Sequence, residues 1–110
     1  MFVVCNRIPV AKGHEAEFER LFLERNDSQS QHPLSQFPGF IRNDVLRPMK
    51  EEPYVVLTYW ETLKDFEAWT NSESFRQAHR GRGRTEIFAG HPNLEIHEVI
   101  KSTVAKVAGV

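Results

Sequence analysis

At 110 residues the chain is long enough for one domain with a core of its own, and a second domain is not expected. Hydrophobic residues make up 40% and charged residues 26%, the balance of a globular protein, and a net charge of −1 leaves no general pull toward nucleic acid or anionic membranes. A single cysteine, Cys5, excludes an internal disulfide framework and suits a reducing compartment, while MFVVCNRIPV lacks the marks of a signal peptide or membrane span, so a cytoplasmic protein is expected.

Residues 2–10 alternate as a strand, with Phe2, Val4, Asn6, Ile8 and Val10 on one face. Asn6 is the only polar member of that stripe. An unpaired amide in a core costs about 1–3 kcal/mol, so Asn6 needs a partner, whether backbone, water or ligand. After a turn at 11–13, His14 to about Arg25 reads as an amphipathic helix with Phe18, Leu21 and Phe22 inward and the glutamates largely outward. Residues 26–36 are polar and contain Pro33, which favours a surface loop.

Phe37-Pro38-Gly39-Phe40 is a turn into a strand over about 40–47, and Glu51-Glu52-Pro53 is the next turn. YVVLTYWE, residues 54–61, is the strongest strand. Tyr54, Val56 and Trp60 lie on one of its faces, and Val55, Leu57 and Tyr59 on the other, so it needs cover on both sides. Two short helices follow, about 63–70 and 73–80, with Asn71 and Ser72 suited to cap the second. A linker at 88–92 leads to a last strand at about 94–101, and the tail either extends it or frays. The order strand, helix, strand, strand, helix, strand predicts an α+β ferredoxin-like domain over 1–110, an antiparallel sheet with helices on one face. The other face then meets a second copy, which predicts a homodimer.

Function concentrates in FEAWTNSESFRQAHRGRGR, residues 66–84. Phe75 and His79 are four apart on one helical face, with Trp69 just upstream. This is either a wall of an aromatic pocket bearing a metal-binding nitrogen, or an ordinary core tryptophan beside a half-exposed histidine. The cations Arg76, Arg80, Arg82 and Arg84 would grip phosphates or ligand carboxylates, or simply suit a helix C-terminus. The glycines there follow a helix instead of opening one, so they form no phosphate loop, and no histidine or cysteine spacing suits zinc. In a ferredoxin-like arrangement Asn6 looks across the helix-side cleft toward Trp69 and His79. Amide, aromatic and imidazole around an apolar cleft suit oxygen chemistry.

These stretches, CNRI around Asn6, FPGF at 37–40, LTYWE at 57–61 and FEAWTNSESFRQAH at 66–79, resemble the heme-degrading monooxygenases of the antibiotic biosynthesis monooxygenase superfamily. The resemblance runs over essentially the whole chain and implies a dimeric α/β barrel. The polar segment 26–36 looks longer than in some members of that family. The asparagine, tryptophan and histidine together point to the heme-degrading branch. Carried over, Asn6 is the pocket amide, Trp69 the aromatic that pushes on the porphyrin, and His79 the iron ligand. Phe22, Phe66 and Phe75 would line the pocket and Arg80 would meet the cofactor. Heme would be both cofactor and substrate, opened with dioxygen and electrons from an external reductase. Two other readings share the fold. A cofactor-independent monooxygenase of aromatic polyketides or quinols would not need His79, and a non-catalytic heme carrier would bind heme and leave it intact.

Overall fold

Period-two alternation in residues 2–8 and 54–60 places two largely apolar strands side by side at the centre of a sheet. The computed structural model describes residues 1–23, 34–72, 75, 88–90 and 93–106. They form β1 (Phe2–Ile8), α1 (Glu15–Leu23), a 3-10 turn (Leu34–Gln36), β2 (Phe40–Leu46), β3 (Tyr54–Trp60), α2 (Leu63–Thr70) and β4 (Asn93–Glu98). The sheet runs β2-β3-β1-β4, antiparallel throughout. This is the expected ferredoxin-like topology.

Two apolar clusters hold helices to the sheet. Under α1, Phe18 packs with Ile8 and Tyr54, flanked by Phe22, Val56 and Phe88. Under α2, Trp69 packs with Val4 and Trp60, flanked by Phe37, Phe40, Phe66 and Phe75. Phe18 and Trp60 are fully buried. Val4 and Ile8 belong to different clusters, and Asn6 lies between them on the same face of β1.

Several boundaries differ from the sequence expectation for physical reasons. β1 stops at Ile8 because Pro9 has no N–H to continue the ladder. Val10 rejoins only through an isolated bridge to Phe88, with the Ala89 N–H on the Pro9 carbonyl at 2.9 Å. β4 ends at Glu98, not at 101, because Glu98 already faces Phe2, where its partner strand begins. The tail therefore leaves the sheet, and Ile100 and Val104 stand 92% and 86% exposed. The expected end of the first helix at Arg25, and the loop up to residue 33, lie outside the described residues; 34–36 form a 3-10 turn.

The turn into β2 is type II, with Pro38 second, Gly39 third at φ 82°, and the Phe40 N–H on the Phe37 carbonyl at 3.0 Å. Gly39 is also pressed against α2, since a Cβ there would meet the Asp65 carboxyl at 2.1 Å. That carboxyl belongs to the cap of α2. Thr62 Oγ1 accepts from the Asp65 N–H at 3.1 Å and donates to its Oδ2 at 2.7 Å.

The inward face of α1 carries Phe18 and Phe22 as expected but differs at two positions. Leu21 is 48% exposed, whereas Glu19 turns inward and is half-buried. Its carboxylate accepts from Arg47 Nε at 2.9 Å, from a second Arg47 nitrogen, and from the Tyr54 hydroxyl. A buried tyrosine needs such an acceptor. The bonds from Arg47 and then Tyr54 hold the Glu19 carboxyl down at about 2, and burial, followed by Glu19, pushes Tyr54 up to about 12. Because the folded Glu19 is the stronger acid, its contribution is complete above its ordinary value of 4.5 and is lost as pH falls toward about 2. The melting temperature of the parent should thus fall more steeply over that acid range than that of Glu19→Gln. Parallel acid curves would contradict this.

Candidate functional site

Asn6 is held in the middle of β1, paired with Val56 of β3 on one side and Leu94 of β4 on the other. Residues directly opposite in antiparallel strands share a face, so all three look toward the helices. Asn6 Oδ1, like Trp60 Nε1 in the neighbouring aromatic cluster, is buried and has no hydrogen-bond partner among the described residues. Buried polar atoms are nearly always paired, and an unpaired one is destabilising on its own. An amide kept in this state fits a site whose partner arrives with a ligand.

On one side of Asn6 stands an aromatic wall. Trp69 is 9% exposed and meets Phe37 edge-on at 5.3 Å, Phe75 edge-on at 5.8 Å and Trp60 tilted at 6.5 Å. Phe66 packs on Trp60 at 6.2 Å. The C-terminal end of α2 aims this wall. Asn71 caps the helix, and Ser72 Oγ donates to the Trp69 carbonyl at 2.6 Å while accepting from the Phe75 N–H at 3.1 Å. Ser72 thus makes a capping contact with Phe75, which is helical, while the rest of the second helix expected over 73–80 lies outside the described residues. On the other side, Phe22 packs on Phe18 with ring centroids 4.6 Å apart.

The structure therefore brings Phe66, Trp69 and Phe75 into one cluster and places Phe22 in the other, with Asn6 on the sheet between them. Trp69 is a core residue as well as a wall of this site. His79 and Arg80, and the neighbouring arginines, lie outside the described residues. Among the described residues no group of three or more histidine, cysteine or acidic side chains is placed to hold a metal ion. Sequence reasoning passed over Leu94 and Ile96. Both are apolar residues on the helix-facing side of β4, yet 55% and 43% exposed. Their alternation with Asn93, Glu95 and His97 was the available signal.

A family model described as antibiotic biosynthesis monooxygenase matches residues 1–81. A Staphylococcus haemolyticus protein named heme oxygenase (staphylobilin-producing) is 38% identical over 104 residues, covering 94% of this chain and 95% of that protein. A Mycobacterium tuberculosis protein named heme oxygenase (mycobilin-producing) is 35% identical over 99 residues, covering 89% of each. Among solved structures, the heme-degrader MhuD of Mycobacterium tuberculosis, with two hemes bound in its active site, matches at a TM-score of 0.75 and 33% identity. That match covers 94% of this chain and all of the other. With a match of this extent to the family model and relatives of this identity, the chain belongs to the antibiotic biosynthesis monooxygenase family.

Proposed function

We propose that this protein is a heme-degrading monooxygenase that binds heme in the cleft between helices and sheet, opens its ring and releases the iron. The observation that carries this reading is the buried, unpartnered Oδ1 of Asn6 on a seam between two aromatic clusters. Relatives named heme oxygenase support it. A cleft with aromatic walls and one amide fits a flat apolar macrocycle whose polar chemistry is confined to its centre and rim.

Heme supplies the iron that activates dioxygen, and its own ring is the substrate, with electrons from an external reductase. The chain supplies the surroundings. Trp69, backed by Trp60 and Phe37, presents a rigid bulk that cannot yield without disturbing the core. Phe22, Phe66 and Phe75 exclude water from the cleft. Asn6 holds a polar group ready for a partner that arrives with the ligand. His79 would hold the heme iron through an imidazole nitrogen, and Arg80 would pair with a heme carboxylate.

The working unit is a single domain over 1–110 that pairs as a homodimer. On the sheet face away from the helices, Val3, Val55, Leu57 and Tyr59 form an apolar centre. Charged pairs rim it: Arg7 with Glu95 at 3.3 Å, and Arg42 with Asp44 at 3.2 Å. Arg42 also lies over the Tyr59 ring at 4.6 Å. Joining two such faces closes a barrel. A monomer in sedimentation velocity at micromolar concentration would contradict that assembly. Among the described residues no helix is long and apolar enough to cross a membrane. The proposed compartment is the cytoplasm, with no membrane or nucleic-acid partner.

Hemin added to the protein should produce a Soret band that His79→Ala shifts or abolishes. Ascorbate in air should then bleach the parent's band and release iron to a chelator, with catalase present to exclude peroxide chemistry. Binding without bleaching would make the protein a heme carrier. No binding would return the chain to cofactor-independent oxygenation.

A further inference from the structure

The edge strand β4 alternates polar and apolar residues along its length. Edge strands usually place charge where they meet water. Here Asn93, Glu95 and His97 lie on the face away from the helices, and Leu94 and Ile96 on the helix-facing side. On that side Val4, Ile8, Tyr54 and Trp60 of the central strands are 6%, 3%, 3% and 0% exposed, and Asn6, Val56 and Thr58 are half-buried. Leu94 and Ile96 remain 55% and 43% exposed. They therefore lie on the helix-facing side of the sheet without being covered by the described residues.

Their register ties them to the site. Leu94 stands directly opposite Asn6, and Ile96 opposite Val4. Across the sheet the row reads Val56, Asn6, Leu94, and the next reads Thr58, Val4, Ile96. Opposite residues on one face lie about 4.5–5.5 Å apart at Cβ, so whatever meets the Asn6 amide also meets Leu94. We propose that Leu94, supported by Ile96, is the apolar floor of the ligand cleft and determines how tightly a porphyrin seats beside Asn6. The occupant follows from the juxtaposition: an uncovered apolar pair continuous with a buried, unpartnered amide suits a flat macrocycle with polarity near its centre. This inference rests on the heme reading above. It adds a binding determinant on a strand that the motifs of residues 66–79 do not reach.

The test compares parent, Leu94→Met, Leu94→Gln and Leu94→Asp as apo proteins. It measures melting temperature, sedimentation coefficient and hemin affinity by tryptophan quenching and Soret titration. Leu94 is largely exposed without ligand, so melting temperature and sedimentation should hold in all three variants. Methionine conserves volume and should keep parental affinity. Aspartate should weaken hemin binding by about tenfold or more, the scale of losing one buried leucine contact, and glutamine should fall between. Unchanged affinity in Leu94→Asp overturns the assignment. So does a changed sedimentation coefficient with unchanged affinity, which would give the pair to a protein interface. Affinity losses that merely track melting temperature also overturn it, and Leu94→Gln keeps that comparison open should the aspartate unfold the chain. Failure of the parent to bind hemin would instead remove the heme reading itself.

Discussion

Trp69→Ala should lose about 3–5 kcal/mol of stability, the usual range for emptying a buried tryptophan site. The size follows from its neighbours. Trp69 is 9% exposed and touches three other aromatic rings, so its loss leaves Phe37, Phe75 and Trp60 facing a void. Trp69→Phe keeps one ring of the two and should lose less. Hemin should still bind to folded Trp69→Ala, because the proposed iron ligand is elsewhere, but turnover should be slower than in the parent. The two effects are separable by assaying well below the variant's melting temperature. A variant that melts with the parent and degrades heme at the parent rate would contradict both the packing and the proposed role.

Asn6→Ala should behave in the opposite way. A side chain in a structural hydrogen bond would lose about 1–3 kcal/mol on truncation. The Asn6 Oδ1 has no such bond to lose among the described residues, and replacing an unsatisfied buried polar atom by a methyl group is neutral or favourable. The melting temperature of the apo variant should therefore equal or exceed that of the parent. Its resting Soret band should be close to parental, since an amide is not the proposed iron ligand. Heme loss under reductant and air should slow by about tenfold or more, the scale of one hydrogen bond in a dry site. Lower stability with proportionate loss of activity would make Asn6 a structural residue.

These two residues mark what was legible in the sequence. Asn6 stands out because one amide interrupts an apolar stripe, and period-two counting finds it without any partner strand. β3 was equally plain, seven residues of mostly β-branched and aromatic side chains bounded by turns. The cap at Ser72 is local, and local hydrogen bonds leave local signatures. The Glu19 contacts to Arg47 and Tyr54 join residues 28 and 35 positions apart, which no window along the chain reveals. The end of β4 at Glu98 was hidden for a related reason, since it is set by where β1 begins and not by β4 itself. Leu94 and Ile96 were visible as apolar residues, but only the register with Asn6 and Val4 makes their exposure informative. Trp69 needed both levels. Its type and place were legible, while its depth in the core emerged only from the packing.

In the proposed reaction this protein opens the heme ring with an oxygen atom from dioxygen. Mass spectrometry of the pigment recovered after turnover of hemin-loaded protein with ascorbate under labelled dioxygen tests it directly. The account predicts a ring-opened tetrapyrrole carrying the heavy isotope, with iron released in proportion. Recovery of intact protoporphyrin, with or without its iron, would contradict it.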